Sequence, residues 1–171
     1  MPTAPEPNEK ASVRRELGTA MMQFAHYLIE NRMGPEDDVM RQVATEKYRQ
    51  AVLHAAEQGV EVSLPWHTLG VWTEEGKDRI GAFSRALACI RREKTLPPPR
   101  GIHDPWTIAH MEADCLYEIG RIHFHEGAPD AARRFLEEAL PLAQKTETLR
   151  VPGKHIEDGL EGRIAALLIQ L

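Results

Sequence analysis

Asp114-Cys-Leu-Tyr-Glu-Ile-Gly-Arg-Ile-His-Phe-His-Glu-Gly127 runs directly into Ala128-Pro-Asp-Ala-Ala-Arg-Arg-Phe-Leu-Glu-Glu-Ala-Leu-Pro-Leu-Ala143. Apolar residues recur at three- and four-residue intervals on both sides of the junction, which is the signature of two amphipathic helices. Gly127 supplies the stop for the first and Pro129 sits in the opening turn of the second. Small residues (Gly120, Ala132, Ala139) stand among large ones (Leu116, Ile119, Phe135, Leu136, Leu140). At such spacing the small positions let two helix backbones approach closely. The unit reads as a helical hairpin that buries its apolar face against neighbours, so the chain on either side is expected to supply them.

The flanking sequence has that periodicity. Residues 11–31 carry Val13, Leu17, Met21, Phe24, Ala25, Leu28 and Ile29 on one stripe, and predict a helix that stops at Met33-Gly-Pro35. A second helix is expected over 35–58, with acids at its start and Gly59 just past its end. Val60-Glu-Val-Ser-Leu64 is too brief an alternation to demand a strand, and Ser63 and Pro65 look like the N-cap and first turn of a helix reaching about Glu75. Ile80, Phe83, Ala86, Leu87 and Ile90 share a face of a helix over 78–92. Pro97-Pro-Pro99 enforces an extended seam, after which the long helix of the opening hairpin starts near Trp106. Polar sequence with Pro152-Gly153 separates that hairpin from a last helix over 160–170. Residues 1–10, with three prolines, are expected to be a flexible tail.

Composition bounds what such a chain does. Of 171 residues, 42% are hydrophobic and 27% charged, enough for a real core and ordinary for a globular protein. A net charge of −5 and the lack of a clustered basic face argue against nucleic-acid binding. No apolar run is long enough for a membrane span and no signal-peptide core is present, so no membrane association and a cytoplasmic location are expected. Cys89 and Cys115 lie in apolar helical settings and are expected to be buried free thiols.

The central hairpin resembles the tetratricopeptide repeat (TPR), a 34-residue helix-turn-helix unit. Leu116, Ile119 and Gly120 match its Trp/Leu-x-x-Leu-Gly opening, and Gly127, Ala132, Leu136 and Ala139 match the Gly, Ala, Phe and Ala positions that follow. Trp66-x-x-Leu69-Gly70 repeats the opening motif, with Phe83 and Ala86 at the second-helix positions; Leu17-Gly18 with Ala44, Tyr48 and Ala51 forms a more distant copy. The resemblance implies an all-α fold of antiparallel helical hairpins stacked as a short right-handed superhelix, with a C-terminal capping helix. Residues 11–171 would be a single repeat domain, with units at about 11–59, 60–94 and 105–145 and a cap at 157–171.

In the family, first helices line a concave groove, and the resemblance places Asp114, Tyr117, Arg121, Phe124 and His125 on that side of the central unit. Two aromatics with an Arg between them offer stacking surface and a fork-shaped cation for a carboxylate. The expected function is therefore that of a non-enzymatic adaptor or chaperone, without cofactor, binding a protein or peptide partner. Homo-oligomerisation through Trp66, Trp72 or Trp106 is a second possibility, and a metal-dependent enzyme or sensor built on the eight histidines a third. The motifs give the third little support. His123 and His125 point roughly 200° apart on a helix and no HExxH occurs, although His110 and Asp114 do have ligand spacing. Neither a glycine-rich phosphate loop nor a nucleophile elbow is found.

Overall fold

A computed structural model describes residues 7–30, 37–74, 76–96, 105–148 and 159–171. Of the tail expected to be flexible at 1–10, residues 7–10 are instead helical and residues 1–6 lie outside the described residues, as do the Met33-Gly-Pro35 stop, the proline seam at 97–104 and the Pro152-Gly153 break. Within them the chain is all-α, with no strand: α1 (Pro7–Glu30), α2 (Asp37–Glu57), α3 (Ser63–Trp72), α4 (Gly76–Glu93), α5 (Pro105–His125), α6 (Pro129–Thr148) and α7 (Leu160–Gln170). Each helix packs on the next in chain order, and α7 also reaches α5.

Several boundaries differ from the sequence expectation by a few residues, as where α4 opens at Gly76 rather than Asp78, and two of the differences have a local cause. α1 begins at Pro7 rather than near residue 11, because proline suits a first helical turn, where its missing N–H costs nothing. α3 ends at Trp72 rather than Glu75. Thr73 turns extended (φ −85°, ψ 129°), and both its N–H and its hydroxyl donate to the Leu69 carbonyl, at 2.9 and 2.7 Å.

Gly59 and Gly127 take φ of +71° and +73°, a left-handed turn that side chains resist. After each the same pair of bonds closes the helix: Gly127 N–H to Phe124 O and Ala128 N–H to His123 O, Gly59 N–H to Ala56 O and Val60 N–H to Ala55 O. The chain is thereby reversed from α5 into α6 and turned out of α2 towards α3.

The two later hairpins, α3/α4 and α5/α6, are antiparallel and share one packing plan. A Cβ on Gly120 would lie 2.9 Å from Leu136 Cγ and 3.3 Å from the Ala132 carbonyl; one on Gly70 would lie 2.8 Å from the Phe83 ring. Trp66, Leu69, Phe83 and Ala86 are buried in the first, as Leu116, Ile119, Leu136 and Ala139 are in the second. The hairpins differ four residues before Phe83 and Leu136, where α6 has Ala132 and α4 has Arg79. In α1/α2 the glycine makes no such approach, since Gly18 has open space beside it. There Phe24 stacks on Tyr48, with centroids 4.8 Å apart and planes within 6°, and Trp72 meets Phe24 edge-on. The Tyr48 hydroxyl donates to Pro65 O of α3 at 3.2 Å.

Ser63 does not cap α3. The N-cap is Val62, whose apolar side chain cannot accept a hydrogen bond, and the cap comes from the far end of α4. Glu93 accepts the Ser63 N–H on Oε1 at 2.9 Å and its hydroxyl on Oε2 at 2.7 Å. The carboxylate is buried, but it is doubly bonded and sits where the helix dipole favours an anion. Between α4 and α5 the buried Glu112 carboxylate is held by Lys94 at 2.6 Å and Arg91 at 3.6 Å.

Candidate functional site

α5 buries Ala109, Ala113, Leu116, Ile119 and Gly120 against its neighbours. The residues expected to face a ligand lie beside this stripe, at steps of three, four, three and one residues. Their environments are not alike.

Asp114 bridges helices. Its Oδ2 lies 2.8 Å from Nε2 of His67 on α3, and both side chains are 18% exposed. Burial alone pulls the Asp114 carboxyl upward, but the His67 bond and the positive fields of His67, His110 and Arg163 outweigh it and hold it below the usual carboxylate range. His110, one turn before Asp114, stacks on Trp106 at 5.0 Å. Burial lowers its pKa, against the pull of Asp114 and with the repulsion of His67 and Arg163.

Tyr117 is buried, and the Arg163 guanidinium of α7 lies 5.0 Å above its ring. Its face is thus occupied by the chain itself, as a packing contact with the terminal helix. Arg121 is 30% exposed and engaged: its Nε and Nη2 donate to Glu118 Oε2 at 3.3 and 2.7 Å, and that bond keeps the guanidinium more firmly charged than usual. Arg79 Nη2 reaches the same oxygen at 3.1 Å, so two cations share one carboxylate, and the buried Arg79 Nε–H has no hydrogen-bond acceptor among the described residues. Phe124 is half-buried with its ring edge-on to the exposed His125, 5.5 Å away.

The structure therefore brings together Asp114, Tyr117 and three residues that the sequence reading did not include: His67, Arg163 and, through Glu118, Arg79. Arg121, Phe124 and His125 follow towards the end of α5 as its more accessible part. One of the missed residues carried a signal, for His67 stands three residues before Gly70, as Tyr117 does before Gly120. Neither cysteine is poised as a thiolate: Cys89 is pushed up to about 11 and Cys115 higher still, each chiefly by burial. Of the tryptophans named for self-association, Trp66 is buried beneath Arg85, Trp72 is half-buried and Trp106 is 40% exposed.

Among the described residues no three His, Cys, Asp or Glu side chains are grouped so that they could hold a metal ion, and no helix is long and apolar enough to cross a membrane. Comparison of the chain with protein-family models, curated proteins and solved structures gives no match.

Proposed function

We propose that this chain is a TPR-like adaptor or chaperone of the cytoplasm, a non-enzymatic module whose hairpins follow one another in a short right-handed superhelix and whose α5 receives a protein or peptide partner. The observation that most supports a repeat is the shared packing plan of α3/α4 and α5/α6, where Gly70 and Gly120 each abut the large side chain of the second helix. A repeat array offers an extended binding surface built from equivalent helices.

On this reading Asp114 and Tyr117 set the floor, tied to His67 and Arg163. Arg121, Phe124 and His125 meet the ligand, and Arg121 trades its Glu118 contact for a carboxylate of the partner. Arg79 keeps Glu118 compensated when that happens. The test is recovery of partners from host lysate with wild-type protein and with an Arg121→Ala, Phe124→Ala double variant shown to fold. A partner held by the first and lost by the second supports the reading; the same proteins on both, or none on either, rejects it.

A further inference from the structure

An open cleft of about 280 Å³ lies between α1 and α2, far in sequence from the α5 residues and independent of any role for them. It is lined by Ala20, Gln23, Phe24, Tyr27, Met40, Val43, Ala44, Lys47 and Tyr48. It exists for a physical reason: Gly18 makes no close approach, so α1 and α2 are spaced by the stacked Phe24 and Tyr48 rings. α3 touches these rings through Trp72 and Pro65, but it is only 10 residues long and none of its side chains lines the cleft. At the rim Met40 is 58% exposed and Val43 45%.

Four of the lining side chains carry a polar group, Gln23, Tyr27, Lys47 and Tyr48; the Tyr48 hydroxyl is taken by Pro65 O, and Lys47 is the one charged side chain. No acid stands three or four residues from Lys47, where Val43, Ala44, Gln50 and Ala51 are found. The adjacent Glu46 is taken by Arg49 and Gln50, at 3.4 and 3.1 Å. Among the described residues the Lys47 ammonium has no ion-pair partner. An aromatic-walled apolar cleft with one unpaired cation and one amide is complementary to a flat apolar body bearing a single negative charge. Its volume is at the small end for a ligand pocket, which sets the size of that body at one or two fused rings.

We infer that the α1/α2 cleft is a binding site for a small aromatic carboxylate, with its ring seated on Ala20, Ala44 and Met40 at the edge of the stacked Phe24 and Tyr48 pair and its carboxylate on Lys47. Methionine suits the rim because its unbranched thioether adapts to the edge of a ring.

The test titrates the protein at pH 7 with 2-naphthoate and with the neutral 2-naphthamide, following backbone amide shifts by NMR. Saturable shifts confined to α1 and α2 around Ala20, Gln23, Ala44 and Lys47 are expected, with the naphthoate bound about three-fold more tightly than the amide, as suits one exposed ion pair. Lys47→Gln should erase that difference, and Ala44→Phe, which fills the cleft, should abolish binding of both probes. Lys47 is exposed, so its variant folds and carries the test if Ala44→Phe does not. Equal affinity for the two probes, shifts centred on α5 to α7, or binding that survives a folded Ala44→Phe would overturn the proposal. So would a doubling of mass by light scattering that Met40→Glu reverses, since a second copy would then cover the cleft.

Discussion

At Gly120 two known effects oppose each other, and their sizes decide the outcome. Replacing a mid-helix glycine by alanine gains about 1 kcal/mol of helix propensity. Here the new methyl would press on Leu136, which is fully buried and has nowhere to move, and on the Ala132 backbone. Overpacking of that kind costs roughly 1–3 kcal/mol, so Gly120→Ala should lose stability by urea unfolding. Gly81 in α4 has open space where a Cβ would go, and Gly81→Ala should gain about 0.5–1 kcal/mol. Equal responses at the two sites would show that no close approach is made at Gly120. A second residue-scale prediction concerns Glu93. Glu93→Ala strands the buried Ser63 hydroxyl and its N–H, a loss of about 1–3 kcal/mol, whereas Glu93→Gln keeps one acceptor and should lose less. If both variants melt with the wild type, the carboxylate does not cap α3.

Between elements, the polar seam joining α3, α5 and α7 makes stability depend on pH. His110 has its pKa lowered from 6.5 in the fold, so on acidification the unfolded chain takes up that proton first and stability falls below about pH 6.5. Asp114, lowered from 3.8, adds a further loss below about pH 4, when the unfolded carboxylate is protonated more readily than the folded one. The groups facing His110 are Asp114, which favours its protonation, and His67 and Arg163, which oppose it. His110→Phe preserves a ring for Trp106 and removes the titration. Its melting temperature should fall less than the wild type's between pH 7 and 5; an unchanged slope would assign the acid sensitivity elsewhere. This seam also marks how far the sequence could be read. The helices were legible because their apolar residues keep the helical period, and the Gly127 and Gly59 stops because each permits a left-handed turn. Local sequence points to Ser63 as the cap on α3, whereas a carboxylate 30 residues away supplies it. His67 with Asp114 and Arg79 with Glu118 are joined across 47 and 39 residues, and such pairs depend on how the helices seat, which no local pattern encodes. Phe124 and His125 lie on the accessible end of α5, whereas Tyr117 is covered by a residue of α7.

For the whole molecule, the interfaces between successive helices are unequal. Among the described residues α2 and α3 are the least closely packed of the successive pairs, meeting through Tyr48 and its surroundings, while α5 and α6 are the most closely packed. In a chain of units that touch only their neighbours, stability divides at the weakest interface. α1 and α2 should therefore open as one cooperative unit below the free energy that unfolds α3 to α7. Hydrogen exchange followed by mass spectrometry should show α1 and α2 amides exchanging together and first, with the buried segments around Leu116 and Leu136 last. Phe24→Ala removes the ring that spaces α1 from α2 and meets Trp72, a loss of roughly 3–5 kcal/mol for a buried Phe. It should speed exchange throughout α1 and α2 while leaving α5 and α6 nearly unchanged. If exchange in α5 and α6 rises by the same factor, the chain unfolds as one unit, and the α2–α3 interface transmits more free energy than its packing suggests. That interface also separates the α1/α2 cleft from the accessible end of α5, so a divided response would let a ligand at one site bind without reshaping the other.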